Sequence, residues 1–298
     1  MGSIKDYFIL IRIPNLFTCP SNVLVGFAQV GLLISARAEN LLFLILASLL
    51  LYTVGIVLND YLDLHADKRD RANRPLPSGR ISSRSAAILI ILASLSSIFV
   101  AAYVSYLTLF IVLAILGTIL AYDARLKSSS FGHMAMALSR VLNIVLGFSP
   151  FLFLPFSNPN DYLRIGVILT CMFIYVFVIS YISKFESGNL TKQINQTFVM
   201  ISISSIPILL TLFTVMGYFK TDLLLLLPIF IGILIFTFGK IRTRSGLKEA
   251  GPIVRNLVLT IIVLDSLFMS GSAGIIYGLG LMVFLIPALV LSRKFYVT

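Results

Sequence analysis

Charge is scarce in this 298-residue sequence, in which Lys, Arg, Asp and Glu together make up 12% and only 12 residues are acidic. A soluble domain carries roughly 25% charged residues, so this composition, with a mean hydropathy of +1.01, excludes one. Cysteine is also rare: Cys19 and Cys171 lie in apolar stretches and give no disulfide framework or zinc cluster. The N-terminus lacks a small-residue cleavage site, so we expect the first apolar run to be retained as a span.

Long apolar runs stand where the charge is missing. Runs of about 17–22 residues recur along the chain, which is the length that crosses a bilayer as a helix. The sequence therefore predicts an all-α, polytopic transmembrane helical bundle that forms one domain over residues 1–298. The segment 255–270 is short for a full crossing. The ten predicted segments are 14–35, 41–60, 85–104, 106–123, 133–155, 164–183, 197–217, 222–239, 255–270 and 274–292.

The basic residues alternate between the breaks that separate these segments. Of 23 Lys and Arg residues, only Arg37, Arg164 and Lys220 fall in the poor set of breaks. Because Lys and Arg collect in cytoplasmic loops, the alternation predicts ten crossings with both termini in the cytoplasm. The same bias accounts for the net charge of +11, so we expect a lipid bilayer and no nucleic acid as partner.

The few acidic residues are concentrated at one helix end. Asp60, Asp63, Asp67 and Asp70 lie within eleven positions at the end of the second apolar segment. On a helix that advances about 100° per residue, the first three and Asn59 share an arc of about a quarter turn. Carboxylates held this closely repel one another unless a cation neutralises them. Hard oxygen ligands with open positions suit Mg²⁺, so the cluster predicts a magnesium site.

Cations and prolines follow the acidic cluster. Arg71 and Arg74 supply planar donors that match phosphate oxygens in pairs. Pro75 and Pro77 end any helix and fix the loop. Metal ligands and arginines together at the membrane face predict a site for a diphosphate group.

The whole stretch has a recognisable pattern. N-D-x-x-D-x-x-x-D followed by R-x-x-R-P-L-P-S-G, from Asn59 to Gly79, resembles the first aspartate-rich motif of the UbiA superfamily of intramembrane prenyltransferases. The resemblance implies about nine helices, a central cavity open to the cytoplasmic side, and an isoprenoid diphosphate bound through Mg²⁺. It implies catalytic roles for Asp60, Asp63 and Asp67, and metal ligation by Asn59 with the last two.

Two more segments resemble elements of that family. Arg12 and Asn15, in R-I-P-N-L-F-T, are similar to a first-helix motif that reaches towards the diphosphate. Tyr122 and Lys127, in Y-D-A-R-L-K, are similar to a Y-x-x-x-x-K element at a cytoplasmic helix end. The resemblance implies that all four bind diphosphate and that Lys127 is also catalytic, as a point-charge partner for phosphate.

Three polar residues stand inside apolar segments. Arg140 and Asn143 are three residues apart and therefore share a helix face. A charge within the membrane is costly and usually lines a polar cavity, so we expect Arg140 to be catalytic and Asn143 to bind diphosphate. Asp265 is expected to be either an acid in the cavity or a structural hydrogen-bond partner.

One part of the family pattern is missing. Family members usually carry a second motif close to D-x-x-x-D at the end of the sixth span. The corresponding residues 180–189 contain a single carboxylate, Glu186, and a lysine, Lys184. We hypothesise that Lys184 binds diphosphate and replaces part of the charge of a missing cation, with Glu186 or Asn189 as a residual metal ligand.

Three functions remain open on this pattern. The first is Mg²⁺-dependent transfer of an isoprenoid chain from an allylic prenyl diphosphate to a small acceptor such as an aromatic ring. The second is a membrane terpene cyclase, which ionises the same diphosphate without an acceptor. A non-catalytic isoprenoid carrier is less favoured, because the first motif is intact. In both enzymes, apolar helices would shield the allylic cation from water.

Overall fold

The structure is a computed structural model, and it describes residues 2–30, 38–127, 129, 131–151, 159–187, 195–243 and 250–295. Within these ranges the chain is helical and contains no strand. The helices are α1 Ile4–Leu10, α2 Ile13–Leu16, α3 Thr18–Gln29, α4 Ala38–Leu62, α5 Leu64–Asp70, α6 Ser83–Val104, α7 Tyr106–Ala121, α8 Phe131–Phe148, α9 Pro159–Ser183, α10 Gln196–Val215, α11 Asp222–Thr243, α12 Ala250–Ala273, α13 Ile275–Met282 and α14 Leu285–Phe295. Three short elements add a π-helical turn, Tyr122–Leu126, and two 3₁₀ turns, Ser149–Phe151 and Lys184–Ser187.

The predicted bundle of nine to ten helices is confirmed for the described residues. Nine helical segments there are long and apolar enough to cross a membrane. A tenth is added if α1 and the run Ile13–Gln29, which are bent by 58° at Arg12, count as one span. The first predicted segment, 14–35, therefore starts at a bend, and its end at 31–35 lies outside the described residues. Likewise 152–155 of the fifth segment lie outside them.

Two of the breaks between consecutive spans are a single residue long. Ser105 alone divides α6 from α7, and its extended backbone lets its side chain cap α7 by accepting from the Thr108 backbone amide at 3.0 Å. Gly274 divides α12 from α13 with a φ of 118°, which only glycine adopts readily. The last two predicted segments are therefore two separate spans. The short segment 255–270 is longer than predicted, because α12 covers Ala250–Ala273.

Helix α12 forms the centre of the bundle and α6 lies at its edge. In α12, 72% of the spanning window is buried inside the protein, against 17% in α6. Side chains of α12 pack with α9, α10 and α11 in the larger apolar core, while α3, α4, α7 and α8 share a second core. The exposed apolar side chains of α6, such as Leu92, Leu95 and Phe99, suit a lipid-facing surface.

Helices α3 and α8 cross in direct backbone contact. A Cβ atom added at Gly26 would collide with the Ile144 carbonyl oxygen, and one added at Gly147 would collide with the Val23 carbonyl oxygen. Small residues at such crossings let two membrane helices approach closely. The crossing fixes α3, which follows Arg12, against α8, which begins four residues after Lys127.

Candidate functional site

The aspartate-rich segment keeps helical spacing across the junction of α4 and α5. The Asp63 amide donates to the Asn59 carbonyl at 3.0 Å, and the Asp67 amide donates to the Asp63 carbonyl at 2.8 Å. Asn59 and Asp60 lie on the last turn of α4, Asp63 lies between the helices and Asp67 lies in α5. The common face assumed from the sequence is therefore present in the backbone.

Arg12 joins the N-terminal segment to this face. Its Nη2 atom lies 2.9 Å from Asp60 Oδ1, across 48 positions of sequence. Among the non-glycine residues that the structure describes, Arg12 is the one with a positive φ, 49°. It lies at the bend between α1 and α2. A left-handed backbone at a non-glycine residue costs about 1–3 kcal/mol and is retained where the surroundings fix it. The bend thus places a guanidinium group on a buried carboxylate.

Arg74 holds the other buried carboxylate. Its Nη1 atom lies 2.8 Å from Asp67 Oδ2 and 3.5 Å from Asp60 Oδ1, and all three side chains are at most 11% exposed. Burial lowers the pKa of Arg74, and repulsion from Arg12 lowers it further, while the two aspartates oppose this shift. Arginine nevertheless stays protonated in proteins. The result is a network of two cations and two anions in which Arg74 and both aspartates are buried and Arg12 is 32% exposed.

The loop that carries Arg74 is fixed by its own backbone bonds. The Ser78 amide donates to the Arg74 carbonyl at 3.0 Å, and the Ile81 amide donates to the Pro75 carbonyl at 3.0 Å. Pro75 is buried. Arg71 is half-buried, and its side chain makes no hydrogen bond or ion pair within the described ranges. The structure thus places Arg71 beside the network without using its donors.

Lys127 brings the end of α7 to the same face. Its Nζ atom donates to Asn59 Oδ1 at 2.7 Å and to Asp63 Oδ2. The lysine follows the π-helical turn, in which the Lys127 amide donates to the Tyr122 carbonyl at 2.9 Å. Such turns are rare and are frequent at functional sites. Tyr122, at the start of the turn, is half-buried.

Asn15 lies close by with an unused polar atom. Its Oδ1 atom is buried and has no hydrogen-bond partner among the described residues, and the same is true of the Tyr52 hydroxyl. Its backbone is fixed, because the Asn15 amide donates to the Arg12 carbonyl at 2.9 Å and its carbonyl accepts from Thr18 Oγ1 at 2.7 Å. Tyr52 was not among the predicted site residues, since an isolated tyrosine in an apolar run carries no spacing signal.

Arg140 and Asn143 face α3 rather than the aspartate-rich segment. The Arg140 guanidinium donates to Thr18 Oγ1 at 2.9 Å and to Asn22 Oδ1 at 3.1 Å. The Asn143 side chain accepts from Ser48 Oγ at 2.7 Å. These bonds tie α8 to α3 and α4 inside the bundle. The expected cavity and diphosphate roles of Arg140 and Asn143 stay predictions.

Asp265 is one of the most deeply buried acids of the described chain. It is 0% exposed and accepts from Ser21 Oγ at 2.6 Å and from Asn22 Nδ2 at 2.8 Å. Asn22 therefore bridges Asp265 on α12 and Arg140 on α8. Of the two expectations for Asp265, the hydrogen-bonded structural role matches these contacts.

The end of α9 is where the sequence predicts a counterpart of the aspartate-rich segment. Lys184 Nζ donates to the Ser129 carbonyl at 2.8 Å, so this lysine contacts the connection that follows Lys127. Burial lowers the pKa of Lys184. The side chain of Glu186 and all of Asn189 lie outside the described residues. Their predicted ligand roles stay predictions.

The oxygen atoms of this site have the chemistry that a divalent cation requires. In the part of the chain that the structure describes, no three His, Cys, Asp or Glu side chains form a metal-binding group by themselves. An amide oxygen of Asn59 and a carboxylate oxygen of Asp63 nevertheless converge on one cation, the Lys127 ammonium. Mg²⁺ is usually bound through one or two carboxylates plus substrate phosphates and water. The donor set therefore fits Mg²⁺ held jointly with a phosphate ligand.

Comparison with protein families identifies one match. The family model described as UbiA prenyltransferase family matches residues 23–250, which is more than half of the chain.

The matches to curated relatives cover only part of each relative's length. The chain is 29% identical over 191 residues to the digeranylgeranylglyceryl phosphate synthase of Saccharolobus solfataricus, covering 62% of this chain and 63% of that protein. It is 38% identical over 104 residues to the synthase of the same name from Methanococcus aeolicus, covering 34% of this chain and 36% of that protein. The matched stretches thus span less than two thirds of these relatives.

Solved structures share the fold at low identity. A UbiA homologue from Archaeoglobus fulgidus bound to DMAPP and Mg²⁺ superposes with a TM-score of 0.63 at 18% identity, over 93% of this chain and 99% of that one. The apo UbiA homologue from Aeropyrum pernix K1 gives a TM-score of 0.66 at 14% identity, over 86% and 96%. These likenesses establish the fold of the present chain.

Proposed function

The chain belongs to the UbiA prenyltransferase family, and on that premise we propose that it transfers an isoprenoid chain from an allylic prenyl diphosphate to a small acceptor, with Mg²⁺ as cofactor. One observation carries this proposal. Three cations from separate parts of the chain, Arg12, Arg74 and Lys127, meet the oxygen atoms of the aspartate-rich segment. A solvated loop would have no reason to bury Arg74 with Asp60 and Asp67, because burying charges is costly.

The arrangement suits the binding of a diphosphate group. When bound, Mg²⁺ would be held by Asn59, Asp63 and Asp67, and it would neutralise charge on the departing diphosphate. Lys127 is well placed to move from these oxygens to a phosphate, because its side chain is 36% exposed. Arg71 offers unused donors at the edge of the network.

Asp60 has a different role in this proposal. Its carboxylate is 5% exposed and is held by Arg12 and Arg74. It therefore positions both guanidinium groups towards the ligand and keeps their charge in place. Asn15 and Tyr122 would complete the polar wall around the diphosphate, and the unused Asn15 oxygen supports this.

The remaining predicted residues extend the site. Lys184 would contribute positive charge from the end of α9, where the family usually has carboxylates, with Glu186 as a residual ligand. Arg140 and Asn143 would support the site from α8 through α3. We further propose that the polar site faces the cytoplasm, with both termini on that side, because of the distribution of basic residues.

The relatives point to an acceptor class. Their name describes the synthesis of a glyceryl phosphate that carries two geranylgeranyl chains. We propose that the acceptor is likewise a prenylated glyceryl phosphate. A phosphate on the acceptor would also suit the basic surroundings of the site, whereas an uncharged aromatic acceptor would not use them.

Product analysis tests the proposal. Protein purified in detergent is incubated with Mg²⁺ and farnesyl or geranylgeranyl diphosphate, with and without geranylgeranylglyceryl phosphate or an aromatic acid. We expect a prenylated glyceryl phosphate by mass spectrometry, and no product when EDTA removes the metal. Hydrocarbon products without acceptor would favour the cyclase. Diphosphate binding without pyrophosphate release under any condition would favour a non-catalytic isoprenoid carrier and overturn the proposed transfer.

A further inference from the structure

Asp123 is an acidic residue whose surroundings the proposed function does not yet use. We propose that Asp123 is a further ligand of the divalent cation and supplies a carboxylate that the end of α9 lacks. The proposal rests on the proposed function, because it concerns the same cation. It is carried by the place of Asp123 in the π-helical turn and by one unpartnered oxygen atom.

Asp123 lies between two residues of the predicted site, Tyr122 and Lys127. It lies one residue after Tyr122 and four residues before Lys127, whose ammonium group binds Asn59 and Asp63. The turn that carries Asp123 is therefore docked onto the aspartate-rich segment. A π-helical turn contains one residue more than a regular turn. Since one residue changes the direction of a side chain by about 100°, the extra residue changes the directions of the side chains that follow it.

The carboxylate of Asp123 has an unmet need. Its Oδ1 atom is buried and has no hydrogen-bond partner among the described residues. Its charged neighbours are the cation Lys127 and two further anions, Asp63 and Asp60. A buried carboxylate oxygen without a partner is unfavourable, and nearby anions add repulsion. A divalent cation held by the aspartate-rich segment would offer this oxygen a partner and offset the repulsion.

The two helix ends differ in their number of carboxylates. Residues 180–189 contain one carboxylate, whereas the turn that follows α7 carries Asp123 and, through Lys127, contacts Asn59 and Asp63. Carboxylates count towards a metal site by their position in space and not by the helix that carries them. The charge missing from one helix end is thus partly present on another.

Metal binding can be measured without turnover. Purified protein is titrated with Mn²⁺, free Mn²⁺ being followed by electron paramagnetic resonance, alone and with a non-hydrolysable geranylgeranyl thiodiphosphate. We expect Asp123→Asn to weaken Mn²⁺ binding about 10–100-fold, as loss of a ligand or its support commonly does. Asp123→Glu, which keeps the carboxylate, should restore most of the affinity. Asp70→Asn is the matched control, because Asp70 is exposed in the adjoining segment.

The outcomes separate this inference from the proposed function. Wild-type affinity in Asp123→Asn, or no Mn²⁺ binding by the wild type, would overturn the ligand role even if prenyl transfer is observed. Binding that depends on Asp123 in a protein without transferase products would overturn the transfer alone. If Asp123→Asn does not fold, as judged by its elution and melting curve, the decision passes to Asp123→Ser, a smaller neutral replacement. Weakened Mn²⁺ binding in that folded variant supports the ligand role, and wild-type affinity overturns it.

Discussion

Two helix ends of this protein occupy matching places in the family pattern and differ in what they carry. The end of α4 and the following α5 present three carboxylates, and each of them is paired with a cation from a different part of the chain. The end of α9 presents Lys184, whose ammonium group donates to a backbone carbonyl. One end is a network of ion pairs, and at the other end the described contact is that of a lysine with a backbone carbonyl.

This difference indicates how the work is divided. A carboxylate cluster can hold Mg²⁺, whereas a lysine can only meet the phosphate that the metal also binds. We infer that the α4 end determines whether a diphosphate is bound and ionised, and that the α9 end adjusts its affinity. Variants at the two helix ends test this division, and a variant of Asp265 on α12 lies outside both ends.

Asp63→Asn should have the largest effect. The substitution removes the carboxylate that shares Lys127 with Asn59, so Mg²⁺-dependent turnover should fall about 10²–10³-fold. The measurement is the initial rate of pyrophosphate release at saturating prenyl diphosphate. Asp67→Asn should behave similarly, while Asp70→Asn should keep the wild-type rate. Unchanged turnover in both site variants would refute the assignment of the α4 end.

Arg74→Ala should affect stability as well as binding. Its loss leaves Asp60 and Asp67 buried with one cation fewer, which should reduce the free energy of unfolding by about 3 kcal/mol. Denaturation in detergent micelles, followed by circular dichroism, measures the change. The control is Arg80→Ala, because Arg80 also pairs with a buried aspartate, Asp6, but is itself 43% exposed. A loss no larger than that of the control would show that the network is not stabilising.

Lys184→Ala should reduce affinity without abolishing activity. Removing one charge-assisted contact to phosphate should raise KM for the prenyl diphosphate about tenfold, with a smaller change in kcat. Glu186→Gln is the companion variant for the residual ligand.

A matched control exists for this variant. Lys220 also donates its ammonium group to a backbone carbonyl, that of Ala273 at 3.0 Å, but at a different pair of helix ends. Lys220→Ala should leave KM unchanged. Wild-type kinetics in Lys184→Ala and Glu186→Gln would end the idea that the α9 end participates.

Asp265→Asn should have the smallest effect. The amide oxygen can still accept from Ser21, so we expect a stability loss of about 1 kcal/mol and nearly unchanged turnover. The comparison of melting temperature with rate decides between the two roles expected of Asp265. A large loss of rate with little loss of stability would make it an acid of the cavity.

Much of the fold could be predicted because bilayer length and charge distribution act locally. The break at Gly274 and the single-residue break at Ser105 fall where the apolar runs pause. The bend at Arg12 could not be predicted in the same way, because a left-handed backbone there depends on a contact with Asp60 that is distant in sequence.

The candidate site was predictable where a motif specified it. The aspartate-rich segment has a regular spacing, so its common face followed from helix geometry. The hydrogen-bond partners of Arg140 did not follow from helix geometry. They depend on the crossing of α3 and α8, which the sequence marks only by single glycines. Asp123 was not among the predicted site residues, because a π-helical turn has no sequence signature. The scarcity of acidic residues in this chain was a usable signal.

The contact between Gly26 and Gly147 also limits how the protein can move. Two backbones that already touch cannot slide past each other without separating, so we expect α3 and α8 to move together as one unit. Larger changes of conformation are then expected on either side of this pair, at the bend before α3 and at the π-helical turn before α8.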